Sequence, residues 1–240
     1  MFSIYKKELS SFFSNATGYI VIGIFLLLTG LFLWLIPGDF NILEGGYANT
    51  DGLFFLAPWL FLFLCPAVCM RLFAEEKQTG TWELLITKPI SNIQLVGGKY
   101  FAGLTLVVMA LVPTVLYYFT VGYLAEPIWN IDAGAFWGSF IGLFFLAADY
   151  VAIGVFASSL SKNQIVAFIL AVVICFWFFY GFDLISMFFS GGQSIQFIEN
   201  LGINAHYKSI SRGVIDSRDL AYFILVAMIF SGLTVWKIKK

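Results

Sequence analysis

ATGYIVIGIFLLLTGLFLWLI, residues 16–36, runs for 21 positions without a charged side chain. A bilayer's hydrocarbon core is about 30 Å thick and takes about 20 helical residues to cross, so this stretch reads as a membrane span. Lipid offers no partner to a free N–H or C=O group, and nothing in the run alternates like a barrel strand, which leaves only a helix. Lys6 and Lys7 precede it, as in a signal peptide, but no small-x-small cleavage site follows. It reads as a retained first span.

Five further apolar runs cover residues 53–73, 100–124, 136–156, 165–185 and 220–236. Of 240 residues, 60% are apolar and only 11% charged, and the mean hydropathy of +0.91 is far from that of a soluble domain. Six crossings use up the length and leave no room for a soluble catalytic domain. The expectation is an all-α membrane protein, a single domain over residues 1–240, with Pro58, Pro66 and Pro113 kinking their spans. The partner this composition demands is the lipid bilayer. No basic and aromatic array outside the spans points to nucleic acid.

Six crossings put both ends of the chain on one side, with residues 72–99 and 157–164. Lys6, Lys7, Arg71, Lys77, Lys88, Lys99, Lys162, Lys237, Lys239 and Lys240 fall there, against Lys208, Arg212 and Arg218 opposite. Ten against three predicts that the N and C termini are cytoplasmic.

Three segments are neither span nor short loop. In MFSIYKKELSSFFSN, residues 1–15, the stripe Phe2, Tyr5, Leu9, Phe12 and Ala16 predicts an amphipathic helix lying in the cytoplasmic interface, or a short anchor that only orients the first span. Within the cytoplasmic loop 74–99, EEKQTGTWELLITKPIS (75–91) gathers three acids and two lysines. Thr81 to Lys88 make two helical turns with Trp82, Leu85 and Ile86 on one face, Glu83 in the first turn and Lys88 in the last, and Pro89 as the stop. The same composition also suits a loop folded back on the membrane surface. On the outside, 186–219 predicts one or two short helices broken at Gly191 and Gly192.

Motifs for chemistry are missing: no G-x-x-x-x-G-K-[ST], no G-x-S-x-G and no H-E-x-x-H occurs. The chain reads as no enzyme. Cys65, Cys69 and Cys175 fall within apolar runs and read as packing residues. His206 is the one histidine, read as structural. Asp149, in FFLAADYVAIG, lies mid-span, where a carboxylate costs roughly 2.5 to 3.5 kcal/mol on insertion scales unless paired or wetted. It marks either a translocation path or subunit interface, or a neutral acid hydrogen-bonded to a neighbouring helix.

Four stretches in order carry a family likeness: KKELSSFFSNATGYI (6–20), EEKQTGTWELLITKPIS followed by QLVGGKY (94–100), ASSLSKNQIVAFIL (157–170), and ENLGINAHYKSISRGVIDSRDLAYF (199–223). Together they resemble the ABC-2 type transporter permeases, over nearly the whole chain, and among these the permease subunits associated with gliding motility. The resemblance implies a permease of the exporter class in the bacterial inner membrane, paired with a second copy or a related membrane subunit. It implies that ATP and magnesium are bound not here but on a separate ABC ATPase subunit. It also implies a coupling helix docked into that ATPase, made here by Glu75, Glu76, Gly80, Thr81, Trp82, Glu83, Leu84, Leu85, Ile86 and Pro89, bordered by the N-terminal helix. In that role Trp82, Leu85 and Ile86 become the apolar anchor and Glu75, Glu76 and Glu83 the charged rim. The alternative is a membrane scaffold of gliding or surface-secretion machinery that transports nothing. An ion-coupled carrier would need paired in-span charges or interrupted repeats, and Asp149 is the one charge near the middle of a run.

Overall fold

The computed structural model describes residues 1–189, 191–213 and 215–239. Val214, in the RGVID stretch, and Lys240, among the basic residues, lie outside them. No strand occurs among the described residues, and six helical stretches are long and apolar enough to cross a bilayer: Ala16–Leu35, Asp51–Gln78, Asn92–Leu124, Ala133–Leu160, Gln164–Ser186 and Ser217–Lys239. This is an all-α membrane protein.

The first span is preceded by α1 (Phe2–Phe13) and consists of α2 (Ala16–Gly30) running into a π turn at Leu31–Leu35. The second is α3 (Asp51–Cys69), which breaks at Met70 and continues as α4 (Arg71–Gln78); the short α5 (Thr81–Ile86) follows. The third joins α6 (Asn92–Leu111) to α7 (Val115–Leu124) through a 3-10 turn at Val112–Thr114. The fourth is α8 (Ala133–Leu160), and the fifth is α9 (Gln164–Phe176), a π turn at Trp177–Gly181 and α10 (Phe182–Ser186). Two short helices, α11 (Gly192–Glu199) and α12 (Ile203–Ile210), lead to the sixth, α13 (Ser217–Lys239).

Helix α8 is the axis, packed against α3, α4, α6, α9, α12 and α13. Its sequence explains why. In lipid, helices gain from close packing rather than from leaving water, so small residues favour the centre, and Ala147, Ala152, Ala157 and Ser158 of α8 are all fully buried. Side-chain caps start both helices of the next turn: Asp132 accepts from the Ala135 N–H at 2.9 Å for α8, and Asn163 from the Ile165 N–H at 2.8 Å for α9. Cys65, Cys69 and Cys175 sit in this core as packing residues, all three thiols free. Leu27 of α2, Leu116 of α7 and Ile229 of α13 point outward, as lipid-facing side chains do.

The prolines shape the spans as steric rules require. Pro113 tightens the third span into its 3-10 turn. Pro58 has no N–H for the carbonyl of Phe54, and the Tyr207 hydroxyl of α12 donates to that carbonyl at 2.7 Å instead. A helix on the far face thereby repairs a defect in the second span.

Candidate functional site

The charged stretch is far more ordered than a loop: only Thr79, Gly80 and residues 87–91 separate its helices. The second span does not end at its last apolar residue but carries on as α4, held by bonds from α1, α6 and α8. Ser158 of α8 accepts from the Phe73 and Ala74 N–H groups at 3.0 and 3.2 Å and donates to the Met70 carbonyl at 3.0 Å. Those amides are the free donors of the first turn of α4, so one buried hydroxyl caps the helix across the bundle. Lys77 donates to the Ser159 carbonyl, also of α8. Arg71 clamps Glu75 with two bonds of 2.8 and 3.1 Å, one turn apart on α4.

The deepest contact is ionic. Lys99, seven residues into α6, has no solvent-exposed surface, and its ammonium lies 2.8 Å from Glu8 of α1 and 2.9 Å from Glu76 of α4. It also donates to the Leu72 carbonyl. Lys7 joins from the rim, 2.6 Å from Glu76 and 3.4 Å from Glu8. Burial alone lowers the affinity of Lys7 for its proton, but the hydrogen bond to Glu76 and the charges of Glu8 and Glu76 outweigh it, and the pKa is raised. Two cations and two carboxylates thus tie α1, α4 and α6 into a knot with no net charge.

Helix α1 turns accordingly. Its inward face carries Ile4, Glu8 and Phe12, with Phe2 and Ala16 of the expected stripe exposed. Tyr5 and Leu9 of that stripe are half-buried, so the inward face is turned by about one residue toward Ile4 and Glu8, which brings a carboxylate to Lys99. Close approach to α6 depends on Gly98, where any Cβ would sit 3.0 Å from the side chain of Ile4 and from the Met1 carbonyl.

Gly80, at a φ of +73° that favours glycine, reverses the chain between α4 and α5. Of the expected face of Trp82, Leu85 and Ile86, the first two are half-buried against the bundle and Ile86 is exposed. Trp82 stands edge-on to Phe73 at 5.8 Å, with the Lys77 ammonium 5.7 Å above its ring, and Leu85 packs inward beside it. Leu84 and Ile86 face outward instead, 68% and 54% exposed. The indole is drawn in because an aromatic face and a cation are already waiting on α4. Thr81, Glu83 and Pro89 are exposed, Glu75 is half-exposed in its pair with Arg71, and Glu76 is turned into the ionic knot. The ten residues picked from the sequence therefore divide: Glu76, Trp82 and Leu85 hold the element to the bundle, while Glu83, Leu84 and Ile86 are presented outward.

Sequence reasoning passed over Lys7, Glu8, Lys99 and Ser158. The Gly-Gly-Lys at 97–99 was the available signal, since paired glycines at the start of a span mark a place where another helix comes close.

Asp149 is wholly enclosed by this chain, and neither oxygen has a hydrogen-bond partner among the described residues. Lys99, the cation nearest to being intramembrane, is taken by Glu8 and Glu76. On the far face, His206 lies between the Asp219 carboxylate, 2.6 Å from Nδ1, and the Asn200 carbonyl, 2.9 Å from Nε2, and stacks on Tyr222 at 3.9 Å. It pins α12 to the start of α13.

A family model described as "ABC-2 family transporter protein" matches residues 47–211, more than two thirds of the chain. No curated protein matches it.

Proposed function

From the premise that this chain belongs to the ABC-2 transporter family and is a membrane-spanning permease component, we propose that α5 is the coupling helix through which a separate ATPase drives an exporter. The observation that carries this reading is the outward pair Leu84 and Ile86 beside Glu83, on a short helix hung from the best-fastened element of that face. Exposed apolar side chains next to a charge, outside the spans, suit a protein partner that covers them.

In this reading both termini are cytoplasmic and the membrane is the bacterial inner membrane. The ATPase holds ATP and magnesium and meets Glu83, Leu84 and Ile86, with Glu75, Thr81 and Pro89 at the margin. Closure of two ATPases pushes α5, whose Trp82 and Leu85 pass the load to α4. Ser158 then hands it to α8, and the ionic knot hands it to α6 and α1. A second permease, a copy of this chain or a related subunit, completes the path. Overall similarity to the gliding-associated permeases supports a reading in which the exporter serves the machinery of gliding motility.

The test is co-purification of the ATPase with the native permease from gently solubilised membranes. Leu84→Arg with Ile86→Arg is expected to abolish it, while the permease still inserts and elutes as a single species. Undiminished ATPase in that double variant overturns the docking role. ATP hydrolysis that no transported substrate stimulates would favour the scaffold.

A further inference from the structure

Between α3, α8, the π turn of the fifth span and α12, on the face opposite the ionic knot, lies a cavity of about 430 Å³, within the range of small-molecule sites. Two backbone irregularities border it. Pro58 interrupts the hydrogen bonding of α3, and the π turn at Trp177–Gly181 brings Phe179 and Tyr180 to the wall. Such π turns are frequent at functional sites. Trp59 of α3 meets Phe179 edge-on at 5.7 Å and Tyr180 at 5.7 Å, making an aromatic floor.

The rim is different in kind. Lys208 and Arg212 line it, two of the three basic residues outside the cytoplasmic face, with Asp51 on the opposite lip. No carboxylate pairs with Arg212 among the described residues. Lys208 stays 60% exposed, 3.7 Å from an Asp183 oxygen that already takes the Asn204 amide at 2.5 Å. Asp51 begins α3, and Lys208 and Arg212 lie at and just beyond the end of α12, while Pro58 and Trp59 lie about two turns further along α3 and Phe179 about two turns before the end of the fifth span. The cavity is thus charged at its outer end and aromatic at its inner end.

We propose that this cavity binds an amphiphile with a phosphate-bearing head group and an apolar chain, standing along the membrane normal. Arg212 and Lys208 take the phosphate, Asp51 takes a hydroxyl or amine of the same head group, and the chain lies against Trp59 and Phe179. This site is complete in one chain and needs neither the ATPase nor nucleotide, so its test is independent of the coupling helix.

The probe is phosphatidylglycerol with a photoactivatable diazirine in one acyl chain, reconstituted at trace level with the full chain in digalactosyldiacylglycerol vesicles, whose head group carries no phosphate. Crosslinks are mapped by peptide mass spectrometry. Labelling is expected at Trp59 and Phe179, with a loss of about fivefold for each of Lys208→Gln and Arg212→Gln, the factor matching ~1 kcal/mol per basic residue at a membrane surface. Arg218→Gln, which removes the third outer basic residue away from the cavity, is expected to change nothing. Equal labelling by the corresponding diazirine diacylglycerol would reduce the site to a greasy groove. An equal loss in Arg218→Gln would reduce it to the general charge of that face. Displacement of the lipid by inorganic phosphate alone would make it a site for the free anion. Any of the three overturns the proposal.

Discussion

The two faces of this bundle are fastened by different chemistry. On the face that carries α1 and α4, Lys7, Glu8, Glu76 and Lys99 form one ionic knot whose central ammonium is fully buried. On the far face α12 and α13 are held by separate aromatic hydrogen bonds: Tyr207 to the Phe54 carbonyl, Tyr222 to the Leu201 carbonyl at 2.7 Å, and His206 between Asp219 and Asn200. A knot of buried charges is all or nothing, because removing one member strands the others in low dielectric. Separate bonds fail singly. The first arrangement suits elements that must move as a unit under load, and the second a cap whose helices shift one at a time.

The largest effect should come from cutting the knot. Lys99→Ala leaves Glu8 and Glu76 facing each other without their buried counter-charge, and breaking a buried pair from one side costs about 3 to 5 kcal/mol. The permease should then accumulate poorly or lose most of its thermal stability in detergent. Replacing the trio together, as Glu8→Leu, Glu76→Leu and Lys99→Met, should recover most of that loss, since apolar side chains of similar volume commonly substitute for a buried ion cluster without net cost. Stability by differential scanning fluorimetry decides between the two outcomes. A triple variant as weak as Lys99→Ala would mean that the four groups do not act as one unit.

Tyr207→Phe should be milder. It strands the Phe54 carbonyl that Pro58 had already deprived of a helical partner, and an unsatisfied buried carbonyl costs about 1 to 3 kcal/mol. Tyr222→Phe removes the comparable bond from a more exposed hydroxyl and should cost less. If the two variants together cost only the sum of each alone, the far face is a set of independent ties; strong coupling between them would erase its contrast with the knot.

How much of this was legible in the sequence follows from the range of each signal. Hydropathy over about 20 residues is a strong local signal, and the six spans stand where the apolar runs place them, extended at the ends by helix that the polar residues disguise. The second span shows this best, since Arg71, Glu75, Glu76 and Lys77 look like a loop, but Arg71 and Glu75 pair with each other along α4 while Glu76 and Lys77 are satisfied by partners on α1, α6 and α8. Those partners are 69 residues away for Lys7, 82 for Ser159 and 23 for Lys99, and no short window along the chain contains both ends of such a bond. The same limit explains α5. Helical spacing puts Trp82, Leu85 and Ile86 near one another, but which side faces out depends on Phe73 and Lys77, and Leu84 and Ile86 are left exposed. Asp149 was legible as an oddity, and its enclosure only from the fold.

The smallest effect is a titration that tests the edge of the knot. Lys7 is raised above the ordinary lysine value of 10.5 by Glu76 and Glu8 against the opposing pull of burial. A group that binds its proton more tightly when folded adds stability that is complete below 10.5 and fades as the pH climbs through the folded value. The Lys7 contribution should therefore be present in full and independent of pH near neutrality and fall at strongly alkaline pH, where Lys7→Met loses that part of its pH dependence. Its side chain is 55% exposed, so solvent screening holds the contribution to about 1 kcal/mol or less. High salt should weaken it further, while leaving the Lys99 contacts, which water does not reach, nearly unchanged. The comparison of melting temperatures for the native chain and Lys7→Met, at low and high salt on the alkaline side, therefore separates the wet rim of the knot from its dry centre. A salt response as large in Lys7→Met as in the native chain would place the screened charges somewhere other than this rim.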